Sequence, residues 1–295
     1  MIEKTKIVKR GVVLIACGHP FYGNMASHLC ASIKFSSPDM PIALLHDASG
    51  IRHLNNEKLN LFDSKITAPA ISYTNKGKTD FLKIKTYLYE LSPFTETIFI
   101  DADVLWLPRK SINILFDRLA DVNFTMANRG CIDLKEAKNG FITWADPEEI
   151  RNNYDIDGKL YNLSSEFIYF KKNKEVKKLF IQAQKNFSRL RVKYKLFGSD
   201  IPDELPFEIA MMQTKVYPHK CPFLPFFWAA FDKTKMKPTD MYDSYFAYSV
   251  GGAIQPPPVI RFYDNLAQFY CNKLGLGNHW PLQSKRRFLK DRISI

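Results

Sequence analysis

Residues 97–107 constrain the fold of this chain more than any other stretch. An apolar run that begins with β-branched residues is interrupted by Asp101 and Asp103, and apolar residues resume at Val104. Side chains two residues apart in a strand point to the same side, so both carboxylates are expected to project together where a buried strand ends. Two charges beside apolar segments need a compensating partner, and such oxygen ligands suit Mg²⁺ or Mn²⁺ bound with substrate phosphates. An Asp-containing turn is the structural alternative.

Strand-like and helix-like patterns alternate along the chain. Strands are predicted at residues 11–16, 41–47, 66–71, 97–100 and 161–170. Apolar residues recur at helical spacing within residues 24–33, 79–91, 176–194 and 207–213. Asn24 is the predicted N-cap of the first helix. This alternation predicts an α/β fold with a doubly wound, mostly parallel, Rossmann-like sheet flanked by helices.

Composition narrows the class of protein. The 295 residues carry a formal net charge of +12, which favours an anionic partner. Five cysteines are scattered and form no Cys-x-x-Cys motif, which predicts a reducing, cytoplasmic location without a disulfide framework. No apolar run approaches the ~20 residues of a membrane span. Residues 1–250 are predicted to form one α/β domain, and residues 251–295 a Pro-rich connector and basic C-terminal extension that packs on it.

The order of these segments resembles the GT-A fold glycosyltransferases. The similarity is to family eight, the glycogenin- and galactosyltransferase-like group. It is carried by residues 81–91 and by the Asp-x-Asp motif within residues 98–104, and it spans about residues 11–215. The resemblance implies a metal-dependent hexosyltransferase that retains the anomeric configuration and takes a nucleotide sugar, a UDP-sugar, as donor. The acceptor would be a glycan, a protein or a nucleic acid.

The same resemblance implies roles for individual residues. Asp101 and Asp103 would bind Mn²⁺ (or Mg²⁺) against the donor diphosphate. The family's third ligand is a histidine in a His-Phe-x-Gly phrase, but the matching residues 260–263 contain no histidine, and His279 is the candidate from a shifted position. The donor-binding candidates are Ala16, Cys17, Gly18, Tyr22, Lys83, Ala102 and Ser165.

A carboxylate near the sugar would stabilise its oxocarbenium-like transition state or orient the acceptor hydroxyl. The candidates for this catalytic role are Asp203, Glu204 and Glu166, and the sequence leaves open how they divide it.

Two other classes of protein fit part of the pattern. A strand followed by Asp-x-Asp is also typical of haloacid-dehalogenase-like phosphatases, in which Asp101 would be the nucleophile and Asp103 the acid/base. That motif usually follows the first strand, whereas about ninety residues precede it here. A non-catalytic basic nucleic-acid-binding protein is suggested by the net charge alone.

Overall fold

The computed structural model describes residues 9–196, 200–229, 238–251 and 257–277. The strands are β1 Arg10–Ala16, β2 Ile42–His46, β3 Ser64–Thr67, β4 Thr74–Asn75, β5 Lys78–Thr79, β6 Glu96–Ile100, β7 Val104–Trp106, β8 Phe124–Asp133, β9 Lys159–Lys171, β10 Phe226–Trp228 and β11 Ala247–Ser249. The α-helices are α1 Pro20–Ser36, α2 Ala48–Ile51, α3 Asn56–Leu59, α4 Leu88–Leu91, α5 Ile112–Arg118, α6 Pro147–Tyr154, α7 Lys174–Ser188, α8 Glu204–Thr214, α9 Pro238–Ser244 and α10 Pro257–Leu274. Segments Ala70–Ser72 and Phe81–Tyr87 are 3₁₀ helices.

Six strands form a mostly parallel sheet flanked by helices, in the order β3-β2-β1-β6-β9-β8. β1 pairs in parallel with β6, and β8 pairs antiparallel with β9. Every residue of β6 is buried, as expected for an inner strand of a sheet that is covered by helices on both faces. A smaller sheet joins β10, β11 and β7. The predicted α/β fold class is therefore confirmed.

Contacts between Cα atoms divide the chain into two compact units. Unit 1 comprises the described residues within 1–13, 66–99 and 121–224. Unit 2 comprises those within 14–65, 100–120 and 225–295. The division predicted at residue 250 stays a prediction.

Helix α10 packs on α1 within unit 2. The ring of Phe269 meets Phe35 of α1 edge-on, and Tyr270 donates its hydroxyl to the carbonyl of Trp106 at 2.6 Å. Pro257 and Pro258 occupy the first turn of α10. Proline lacks a backbone N–H, and it is tolerated there because N–H groups in the first turn of a helix have no acceptor within the helix. The basic residues 285–290 of the predicted extension lie outside the described residues.

Two local predictions differ from the structure. Helix α1 begins at Pro20, and its cap is His19, whose Nδ1 accepts from the Phe21 amide at 3.2 Å, so Asn24 as N-cap was wrong. Pro20 pre-sets the backbone angle of the first helical residue, which explains the earlier start. The helix predicted over 79–91 is a 3₁₀ helix followed by one turn of α4.

A buried carboxylate links three neighbouring strands of the sheet. Glu96 of β6 accepts a hydrogen bond from the Tyr169 hydroxyl of β9 at 2.7 Å. Its other oxygen lies 3.4 Å from Nε of Arg10 on β1. Burial and the hydrogen bond to Glu96 raise the pKa of Tyr169, so the phenol stays protonated and donates.

Removing this donor should destabilise the protein. We expect Tyr169→Phe to lower the free energy of unfolding by about 1.5–3 kcal/mol, the usual value for a hydrogen bond to a charged group. Tyr89→Phe is the matched control, because the Tyr89 hydroxyl donates to the neutral carbonyl of Asn173 and its loss should cost only about 0.5–1.5 kcal/mol. Urea denaturation measures both, and a Tyr169 effect no larger than the Tyr89 effect would contradict the assignment.

Candidate functional site

The loop after β1 and the turn after β6 lie at one edge of the sheet. β1 and β6 are parallel neighbours, paired from Arg10 and Glu96 to Val13 and Phe99, so their carboxyl ends coincide. In open α/β sheets this edge is where ligands bind. The structure therefore brings Ala16, Cys17 and Gly18 to the edge that carries Asp101.

An acid at the end of β2 fixes the loop after β1. Both carboxylate oxygens of Asp47 accept from the Gly18 amide, each at 3.1 Å, and Oδ1 also accepts from the Gly50 amide at 2.6 Å. The Ser49 hydroxyl donates to the Gly18 carbonyl at 3.1 Å. Gly18 has φ of +86°, a conformation that glycine adopts readily. Neither Asp47 nor Ser49 was selected from the sequence, although an Asp-x-Ser-Gly segment directly after a strand is a recognisable turn pattern.

Close backbone packing surrounds this loop. A Cβ atom at Gly50 would collide with the Ala16 carbonyl oxygen, and one at Gly23 with the Gly50 carbonyl oxygen. Cys17 is buried, and burial followed by the charge of Asp47 raises the pKa of its thiol to about 12. Cys17 is therefore a neutral packing residue of the loop. Tyr22 lies in the first turn of α1 and is half-buried.

Asp101 and Asp103 lie on a tight turn between β6 and β7. The Val104 amide donates to the Asp101 carbonyl at 3.2 Å, and the Val250 amide donates to the Asp103 carbonyl at 3.0 Å. Both acids are partly exposed, whereas Ala102 between them is buried. Tyr263 on α10 is buried, and its burial is the largest cause that raises its pKa. The negative charge of Asp103 raises this pKa further.

The donor set of this turn fits a hard divalent cation. Two carboxylates are the usual protein contribution where substrate phosphates complete the shell of Mg²⁺ or Mn²⁺. Within the described residues, no group of three or more His, Cys, Asp and Glu side chains is placed to hold a metal. The predicted third ligand, His279, lies outside those residues.

A second group of polar residues lies in unit 1. Nζ of Lys85 is 3.0 Å from Oδ2 of Asp203 and donates to the Ser165 hydroxyl at 3.0 Å. Ser165 donates in turn to Oε1 of Glu204 at 3.0 Å. Asp203 and Glu204 stand at the start of α8, and Ser165 lies on β9. The structure thus brings together three of the predicted residues, and adds Lys85.

Two acids on α8 are held in their neutral form. Burial, followed by the charge of Asp203, raises the pKa of Glu204 to about 8, against an ordinary value of 4.5. Glu208, one turn later, is buried, and its burial and then the charge of Glu204 raise its pKa well above the ordinary value. Its Oε2 has no hydrogen-bond partner among the described residues. Glu208 was not selected from the sequence, although an acid within the apolar run 205–212 is a signal of a buried charge.

Two predicted residues lie elsewhere in unit 1. Lys83 donates to the carbonyls of Ile71 and Thr74 at 2.9 and 2.7 Å, so its donor-binding role stays a prediction. Glu166 is buried. Burial of Arg129 lowers the pKa of the Arg129 guanidinium, and the negative charge of Glu166 opposes that effect.

Comparison with known proteins identifies the fold. The sequence matches no protein-family model and no curated protein. The apo structure of the bifunctional glycosyltransferase WbbM superposes with a TM-score of 0.62 at 13% identity, over 94% of this chain and 53% of WbbM, so the chain spans about half of that protein. The galactosyltransferase LgtC, in complex with donor and acceptor sugar analogues, superposes with a TM-score of 0.50 at 10% identity, over 87% of this chain and 95% of LgtC. The predicted GT-A-type fold is confirmed.

The neutral state of Glu204 predicts how stability varies with pH. Between about pH 4.5 and pH 8 the folded protein holds a proton that the unfolded chain has released. Stability therefore falls as pH rises through this range, by up to about 1.4 kcal/mol per pH unit for one proton. We expect Glu204→Gln to make this dependence shallower, and Glu136→Gln, which changes an exposed acid, to leave it unchanged. Urea denaturation in steps of one pH unit measures the slopes, and equal slopes for wild type and Glu204→Gln would contradict the assignment.

Proposed function

We propose that this protein transfers a sugar from a nucleotide-sugar donor to an acceptor hydroxyl. The observation that carries the proposal is the carboxylate turn at the carboxyl edge of a sheet whose fold is that of WbbM and LgtC. LgtC binds donor and acceptor sugar analogues. The sequence resemblance to family eight adds three further parts to this proposal: a UDP-sugar as donor, a hexose as the transferred group and retention of the anomeric configuration.

Asp101 and Asp103 are the proposed ligands of Mn²⁺ or Mg²⁺. Both residues are partly exposed. A bound divalent ion would neutralise the negative charge that develops on the departing diphosphate. The main chain that carries the two acids is fixed by the amides of Val104 and Val250, so the turn is ordered before any ligand arrives.

Asp203 and Glu204 are proposed to act on the sugar in different states of charge. The ammonium of Lys85 pairs with Asp203, and a carboxylate at this position would stabilise an oxocarbenium-like carbon. Glu204 is neutral at pH 7, so its carboxyl group donates and accepts hydrogen bonds as an amide would. This difference favours Asp203 over Glu204 for electrostatic stabilisation and assigns Glu204 to orienting a hydroxyl group.

The fold favours this function over a phosphatase. A phosphatase of the haloacid-dehalogenase type would use Asp101 as a nucleophile on the first strand of its domain. In this chain three strands of the main sheet, β1, β2 and β3, precede β6 in sequence. The order of strands therefore supports a metal-binding role for Asp101.

Loss of either carboxylate of the turn should abolish activity without unfolding the protein. We expect Asp101→Asn and Asp103→Asn to lower Mn²⁺-dependent release of nucleoside diphosphate from UDP-sugars at least about 100-fold, because metal stabilisation of the leaving group supplies several kcal/mol. The exposed Asp121→Asn serves as the matched control and should keep full activity. Melting temperatures near that of wild type would show that folding is preserved. Undiminished turnover in both turn variants would refute the metal-ligand assignment.

Asp203 and Glu204, at the start of α8, should respond differently to amide substitution. We expect Glu204→Gln to keep most of the activity at pH 7, because the neutral acid and the amide offer the same hydrogen bonds. Activity of the wild type should decline above about pH 8 as Glu204 ionises, and the Gln variant should lack that decline. Asp203→Asn should lose activity by about 10²–10⁴-fold, as expected for a catalytic carboxylate. Profiles of kcat against pH test this, and an inactive Glu204→Gln at pH 7 would show that Glu204 works as an anion.

A further inference from the structure

Two cysteines that are distant in sequence meet in unit 1. Cys131 lies near the end of β8, and Cys221 lies in the segment that follows α8. The two side chains are close enough for Cys131 to raise the pKa of Cys221. The sequence gives no sign of this pair, because neither cysteine belongs to a short-range motif.

The backbone around the pair is fixed by Asn128. Its amide donates to the Phe223 carbonyl at 2.8 Å, and the Phe223 amide donates back to the Asn128 carbonyl at 2.9 Å. The Asn128 side-chain amide donates to the Lys220 carbonyl at 2.9 Å. These bonds lie three residues before Cys131 and on both sides of Cys221. These hydrogen bonds hold the two backbone segments that carry the cysteines side by side.

The pair differs from the other cysteines in its exposure. Cys221 is exposed and Cys131 is half-buried, whereas Cys17, Cys30 and Cys271 are buried. Cys131 contributes, after burial, to raising the pKa of Tyr161, whose ring stacks on Tyr217 with 6.0 Å between centroids. A reagent in solution can therefore reach Cys221 directly, with Cys131 immediately behind it.

We propose that Cys131 and Cys221 form an oxidative modification site, at which a low-molecular-weight disulfide such as oxidised glutathione converts the two thiols to an intramolecular disulfide. The Cys221 thiol gives its proton to solvent, and its thiolate attacks one glutathione sulfur. The glutathione S–S bond breaks and releases one glutathione thiolate, which takes up a proton. The Cys131 thiolate then attacks the Cys221 sulfur and displaces the second glutathione thiol. Two protein thiols are oxidised and one glutathione disulfide is reduced to two thiols.

The surroundings of Cys221 set the rate of this exchange. Partial desolvation of the exposed Cys221 thiol and then the neighbouring Cys131 raise its pKa to about 12, while the positive charge of Lys159 opposes them. The other titratable groups at the pair are the phenols of Tyr161 and Tyr217. Because the thiolate is the attacking species, the first step should be slow at pH 7 and should accelerate about tenfold per pH unit between pH 7 and 9.

The disulfide would close a loop that contains three acids of unit 1. Asp203, Glu204 and Glu208 lie between residues 131 and 221 in the sequence, as does Ser165. A cross-link across this stretch reduces the conformational entropy of the unfolded chain. Oxidation should therefore raise the melting temperature. This inference does not depend on the proposed transferase activity.

The test is oxidation of the full-length protein with oxidised glutathione at pH 8. Intact mass should fall by the mass of two hydrogen atoms, two thiols should disappear from a denatured thiol assay, and peptide mapping should find Cys131 joined to Cys221. The melting temperature of the oxidised protein should rise and return to its initial value after reduction. Cys131→Ser and Cys221→Ser should each prevent the cross-link, and Cys271→Ser should not.

Three results would overturn the proposal. These are a glutathione adduct that persists on Cys221 of the wild type, a disulfide that joins other cysteines, and a disulfide between two molecules. Unchanged masses after prolonged treatment at pH 9 would overturn it as well, because the thiolate is then far more abundant.

Discussion

The ion pair between Lys85 and Asp203 is the interaction on which the polar centre of unit 1 depends. The two side chains are 7% and 4% exposed, so each charge has lost nearly all of its hydration. Desolvation costs several kcal/mol per ion, and a buried pair is often no more stabilising than apolar residues of the same volume. Ser165 provides Lys85 with a further acceptor and links it to Glu204. A role in the proposed reaction explains this buried ion pair better than a contribution to the free energy of unfolding does.

The same pair determines the charges of the neighbouring acids. Lys85 pairs with Asp203, and the negative charge of Asp203 then disfavours a second anion at Glu204. Glu204 in turn disfavours ionisation of Glu208. Two carboxyl groups of α8, those of Glu204 and Glu208, therefore stay protonated beside the buried ion pair. An environment of this kind is one way in which neighbouring acids are prepared for different chemical roles.

The sequence predicted those features that depend on neighbours along the chain. The strand at residues 97–100 and the turn at Asp101 follow from an apolar run that ends in two acids, and the apolar face of α7 follows from its helical period. The N-cap at His19 was missed because Pro20 mattered more than the polar character of Asn24.

Features that depend on tertiary contacts could not be predicted in this way. Lys83 and Lys85 look alike in the sequence, and only folding shows that Lys85 contacts β9 and α8, while Lys83 contacts the backbone of Ile71 and Thr74. Cys131 and Cys221 are brought together by hydrogen bonds of Asn128 with a segment about ninety residues away. Glu208 gave a signal in its apolar surroundings, but its burial and the effect of Glu204 on its pKa are visible only in the folded chain.

The most direct test of the proposed function is calorimetric titration with UDP, with and without Mn²⁺. A nucleotide-sugar transferase that uses Asp101 and Asp103 as metal ligands should bind UDP and Mn²⁺ cooperatively, since each completes the coordination of the other. The coupling should be about 1–3 kcal/mol, or roughly 5–150-fold in affinity. Absence of coupling, together with tight binding of beryllofluoride in the absence of nucleotide, would contradict the account, because it would identify Asp101 as the nucleophile of a phosphatase.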